Sequence, residues 1–189
     1  MSKHPVCYLS WSYCLLASSS VYAHPELADL ASLQTGFVHP LLGVDHLALM
    51  VAFGLFSAQL NPAGRWRGLS AFLALMALGA LAAPSLMIPH AEFLVSLSVA
   101  LTGFGLLIRC PLKQGPLVYA VTAFAWIHGY VHGLDAGGTG LSWSYLVGFL
   151  LATAVLIIAG WGLAAGLARF RPLVGWTCAL VGITLMVAG

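Results

Sequence analysis

The chain has 189 residues, 61% of them apolar and only 6% charged, with a formal net charge of +2. Soluble domains carry roughly 45–50% apolar and about 25% charged residues, so this composition excludes one and points to an all-α, polytopic membrane bundle. The apolar stretches are continuous rather than alternating, which excludes a β-barrel. No basic stripe exists to bind nucleic acid, and neither Lys3 nor Lys113 follows a glycine-rich turn, so ATP-driven work through a Walker-type loop is excluded too.

The amino terminus reads as a cleavable signal peptide over residues 1–23. Lys3 gives a positive start, Val6 to Leu16 a short apolar centre, and Val21-Tyr22-Ala23 a small-x-small cleavage site. The mature membrane domain then runs from His24 to Gly189. Cleavage removes Cys7 and Cys14. The remaining Cys110 and Cys178 form no CxxC pair, so neither a disulfide framework nor a thiolate metal site is expected. His24-Pro25-Glu26, exposed by cleavage, is either a weak metal-binding terminus or an accident of processing.

Six apolar spans follow, each near the roughly 20 residues that cross a bilayer as helix. They run approximately Gly36–Leu60, Leu69–Ile88, Ala91–Ile108, Leu117–Leu134, Tyr145–Ala168 and Pro172–Ala188. Asn61-Pro62-Ala63-Gly64, Pro84, Pro89, Pro111, Gly115-Pro116 and the Ala136–Gly140 run punctuate them. Arg65, Arg67, Arg109, Lys113, Arg169 and Arg171 all fall on one side if the mature terminus is outside. By the positive-inside rule that side is cytoplasmic.

The first span holds His39-Pro40-Leu41-Leu42-Gly43-Val44-Asp45-His46. A carboxylate inside a membrane helix costs about 2.5–3.5 kcal/mol on insertion scales, so its presence implies chemistry. His39 and His46 lie roughly 10 Å apart along a straight helix, and Asp45 projects about 100° from His46. One ion therefore cannot reach all three unless Pro40 and Gly43 break the helix between them. Met50, one turn further, reads as packing. His90 and Glu92 sit at the outer turn between the second and third spans, where a solvated turn and a cation-collecting role both remain open.

The fourth span carries His128-Gly129-Tyr130-Val131-His132-Gly133-Leu134-Asp135. His128, His132 and Asp135 stand at i, i+4 and i+7, one stripe on one helix face. Histidines one turn apart can chelate a single ion. Gly129 and Gly133 form a small-xxx-small pair that admits a close neighbour helix. Together, His39, Asp45, His46, His128, His132 and Asp135 offer a nitrogen/oxygen donor set suited to a first-row divalent metal.

These paired motifs, His39-x5-Asp45-His46 and His128-Gly129-x-x-His132-Gly133-x-Asp135, resemble the HupE/UreJ family of bacterial nickel and cobalt permeases over essentially the whole mature chain. The family usually has Phe before the first histidine of the second motif and Glu at its end; Ile127 and Asp135 stand there instead. The resemblance implies a multi-pass protein of the bacterial inner membrane with an extracytoplasmic mature N-terminus, a transporter and not an enzyme. It also implies inward movement of Ni2+ or Co2+ without a prosthetic group, and a link to hydrogenase, urease or cobalamin maturation. The residues alone leave a second class open, a membrane-embedded hydrolase holding Zn2+ on the same His/Asp cluster.

Overall fold

The computed structural model describes residues 32–108, 111–136 and 141–188, with the backbone alone for 111–114. The expected signal segment, His24 to Glu26 and Gly137 to Gly140 lie outside them. Among the described residues the regular structure is entirely helical: α1 (Leu33–Leu42), α2 (Val44–Ser57), α3 (Pro62–Ala82), α4 (Ala91–Leu107), α5 (Pro111–Ala123), α6 (Ala125–Asp135), α7 (Trp143–Leu163) and α8 (Arg171–Ala188).

The ends of these helices follow from local chemistry. Ser32 Oγ accepts from the Thr35 amide at 3.0 Å and caps α1. At Gly43 the chain turns extended, and α2 leaves α1 at 85°. The break that Pro40 and Gly43 permit is therefore present. Asn61 Oδ1 accepts from the Gly64 amide at 2.7 Å and Pro62 occupies the first turn, a strong helix start. This corrects the expected span boundary. Helix α3 begins at Pro62 rather than near Leu69, and Arg65 and Arg67 ride in its opening turns.

Six uninterrupted spans are not what the described residues form. By length and composition three helical stretches can cross a membrane: Pro62–Ser85, Trp143–Leu163 and Ala168–Ala188. The bent α1–α2 pair brings the number to at most four. Helix α4 stops at 17 residues, short of the roughly 20 a crossing needs. The expected fourth span is divided at Phe124. There Phe124 N bonds Val121 O at 3.0 Å and Ile127 N bonds Phe124 O at 3.1 Å, i to i−3 bonds that tighten the turn between α5 and α6.

Helix α3 packs along α6, α4 along α8, and both α1 and α2 against α7. The α3–α6 seam shows why the sequence places glycine at 79 and 129. A Cβ at Gly129 would strike the Met76 carbonyl oxygen, and one at Gly79 the Trp126 carbonyl oxygen. Backbones in contact replace side chains there, the small-residue mode of packing in lipid. Phe53, Phe56, Phe72, Met76, Phe149 and Met50 fill the centre, all fully enclosed. Outward faces carry exposed Leu42, Val44, Leu78, Trp143, Leu180 and Val187, a surface suited to acyl chains. The chain is an all-helical, multi-pass membrane protein.

Candidate metal site

Three helix ends meet where the chemistry-bearing residues lie. His39 is in the last turn of α1, Asp45 and His46 open α2, and His128, His132 and Asp135 descend one face of α6 to its C-terminus. The turn at Gly43 makes this meeting possible, because it folds His46 back beside the α1 terminus. The ring centroids of His39 and His46 are then 6.3 Å apart. A straight helix would hold these residues roughly 10 Å apart. Glycine at 43 also provides room: a Cβ there would lie 2.7 Å from His46 Nδ1 and 2.8 Å from Asp45 Oδ1.

His132 is the hub. Its ring centroid stands 4.3 Å from that of His46 and 4.8 Å from that of His39, while His46 and His128 are 5.5 Å apart. His128 and His132 are wholly buried, and His46 is 8% exposed. Neither ring nitrogen of His132 has a hydrogen-bond partner, nor do His46 Nε2 and His128 Nδ1. Buried polar atoms are normally satisfied, and leaving one bare costs about 1–3 kcal/mol. Four bare nitrogens gathered in one cluster make a donor set suited to a cation.

Asp135 adds the anionic oxygen. Its Oδ2 lies 3.6 Å from His39 Nε2, and its side chain is 48% exposed, at the mouth of the cluster. One donor atom each from His39, His132 and Asp135 falls within 4.8 Å of the others. Metal–donor bonds of about 2.1 Å allow opposed donors to be at most about 4.2 Å apart, so this trio need close by only a fraction of an ångström. Asp45 plays a different part. Its Oδ1 is 2.9 Å from His46 Nδ1, which orients the ring and leaves Nε2 for a ligand. All six residues singled out from sequence thus gather at one end of the bundle, five facing the cluster and Asp45 acting behind His46.

Three neighbours were not assigned to the site from sequence. Ser98 of α4 places its Oγ 2.6 Å from His128 Nε2. The Phe149 ring covers His132 at 4.1 Å, and the Tyr145 ring lies 6.0 Å from His39 with its buried hydroxyl unpartnered. Ser98 and Thr102, one turn apart in an apolar helix, were the available signal. Glu92 sits exposed in the first turn of α4, near enough for the charges of Asp135 and Asp45 to act on it. Met50 is enclosed among core aromatics, as packing requires.

Comparison with known proteins agrees with this arrangement. Residues 12–189 match the family described as HupE / UreJ protein. The Protein HupE of Rhizobium leguminosarum bv. viciae is 32% identical over 180 residues, covering 92% of this chain and 93% of that protein. No solved structure matches. A match of this extent to the family, together with a relative aligned nearly end to end, means that the chain belongs to the HupE/UreJ family.

Proposed function

We propose that the chain is a permease that carries Ni2+ or Co2+ inward across the bacterial cytoplasmic membrane through the His/Asp cluster. The observation that carries this reading is the set of bare, buried imidazole nitrogens on His46, His128 and His132, opening past His39 toward the exposed carboxylate of Asp135. Imidazole with carboxylate suits nickel and cobalt alike. Family membership supports cargo handling and, through the family's hydrogenase and urease associations, delivery to a metalloenzyme.

The charge distribution supports an orientation. Arg65 and Arg171 line one cavity at the end of the bundle away from the histidines, and positive residues favour the cytoplasmic face. The cluster then lies toward the outside, with the mature N-terminus extracytoplasmic. The ion enters past Asp135, passes between the imidazoles and leaves along α2 beyond Met50. An inside-negative potential contributes about 2.3 kcal/mol per charge per 100 mV, hence about 4.6 for a divalent ion, enough for inward concentration without nucleotide. Nothing in the family comparison favours the alternative, a zinc-dependent hydrolase on the same residues.

The deciding experiment is uptake of radiolabelled nickel and cobalt into proteoliposomes with pH and potential clamped separately. Accumulation that grows with inside-negative potential is expected. Absence of flux, alongside zinc-dependent cleavage of a lipid or amide, would overturn the permease reading.

A further inference from the structure

A cavity of about 430 Å3 lies at the far end of α2 from the histidines, between that helix, the first turn of α3 and the α7–α8 junction. Its volume is in the range of small-molecule sites, about 300–1,000 Å3. Arg65 and Arg171 line it together with Gln59, while Leu55, Trp161 and Leu167 form an apolar wall. Both guanidinium groups are anchored by backbone: Arg65 Nε donates to the Leu60 carbonyl at 3.0 Å, and Arg171 Nη2 to the Ile108 carbonyl at 2.6 Å. The Arg65 bond leaves its positive charge unneutralised. The described carboxylates, Asp45, Glu92 and Asp135, all stand at the histidine end, and Arg65 forms no ion pair among the described residues. A partly enclosed guanidinium beside apolar walls favours an anion supplied from outside the chain.

We propose that this cavity binds the phosphodiester headgroup of an anionic membrane lipid. The apolar wall favours a lipid over free phosphate, because an amphiphile uses both the guanidinium groups and the leucines, whereas a small anion uses only the former. Position agrees. Trp66 packs edge-on against Trp161 at 5.2 Å and is itself 57% exposed, the placement of an interfacial anchor at headgroup depth. Basic pockets between membrane helices on the cytoplasmic side are suited to acidic headgroups. This site stands apart from the metal reading and does not depend on it.

The test uses the full-length protein, exchanged from detergent into nanodiscs of phosphatidylcholine with graded phosphatidylglycerol, with retained lipid counted by native mass spectrometry. The wild-type chain should hold one phosphatidylglycerol that excess phosphatidylcholine does not displace. Arg65→Gln should weaken retention about fivefold, the effect of one basic residue at an anionic surface. Arg67→Gln, exposed at the same end but outside the cavity, should leave it unchanged. Equal retention by Arg65→Gln, or equal loss with Arg67→Gln, would overturn the proposal. So would displacement by millimolar inorganic phosphate, which would assign the cavity to a free anion. Should Arg65→Gln fail to fold, Ala165→Leu fills the cavity while keeping both guanidinium groups, and unaltered retention by that variant sinks the idea.

Discussion

Ser98 Oγ stands 2.6 Å from His128 Nε2 and 2.6 Å from the carbonyl oxygen of Val95. A hydroxyl has one proton, and a carbonyl can only accept it. With that proton spent on Val95, Ser98 receives the hydrogen of His128 Nε2, and the lone pair of His128 is left on Nδ1. That is the bare nitrogen in the cluster. Ser98 therefore sets the tautomer of a residue it does not share a helix with.

Replacing Ser98 with Ala removes the acceptor and releases the tautomer. Partners of this kind typically change metal affinity by about 10- to 100-fold when lost. We expect Ni2+ binding by calorimetry to weaken by about tenfold. Nitrogen-15 spectra should show His128 protonated at Nε2 in the parent and mixed in the variant. An unchanged tautomer population would contradict the assignment.

His132→Leu separates stability from function. The imidazole has two buried, unpartnered nitrogens, and an apolar side chain of similar size lifts a desolvation penalty of about 1–3 kcal/mol per bare group. The metal-free variant should melt at a higher temperature than the parent, and added Ni2+ should raise the parent's melting temperature but not the variant's. A metal-free variant that melts lower would show that His132 stabilises the bundle rather than burdening it. His39→Ala should abolish uptake while leaving membrane insertion intact, and normal transport by that variant would remove His39 from the path.

Gly129→Ala tests the α3–α6 seam. The added methyl meets the Met76 carbonyl oxygen, which belongs to a helix backbone and cannot step aside. Overpacking of this kind costs about 1–3 kcal/mol, so the folded yield in detergent should drop. Ala at Gly162, where nothing lies within 4 Å, is the matched control and should be silent. Equal yields would mean that the helices are less closely apposed than this seam.

Acid should oppose loading. A metal-bound imidazole must be neutral, so a proton on any donor nitrogen removes a ligand. Protons and Ni2+ compete for the same lone pairs, so affinity falls as pH falls. Binding measured at fixed ionic strength should weaken as the pH is lowered. Affinity that rises on acidification would point to a carboxylate that must be protonated first.

The residues of the cluster were legible because ionisable groups stand out against apolar sequence, and because i, i+4, i+7 places His128, His132 and Asp135 on one face. The break before Asp45 was legible in Pro40 and Gly43. The interruption at Phe124 was not, since no glycine or proline sits there and only tight i to i−3 bonding reveals it. The start of α3 was misread for a related reason. Asn61-Pro62 punctuates a chain equally well as a stop or as a cap, and sequence alone favoured the stop. Ser98 escaped because serine commonly bonds its own helix, and here it does so while also reaching His128.

The turn at Gly43 also determines which helix poles surround the cluster. Helices α1 and α6 both end there, each presenting unpaired carbonyl groups equivalent to about half a negative charge. Helix α2 begins there with the opposite half charge, which Asp45 in its first turn offsets, and α7 begins close by, with Tyr145 in its first turn. The carbonyl ends of α1 and α6 lie beside the imidazoles, where their partial negative charge favours a cation. Straightening α1 into α2 would erase one pole of each sign and leave α6 as the only one of these two carbonyl ends beside the histidines.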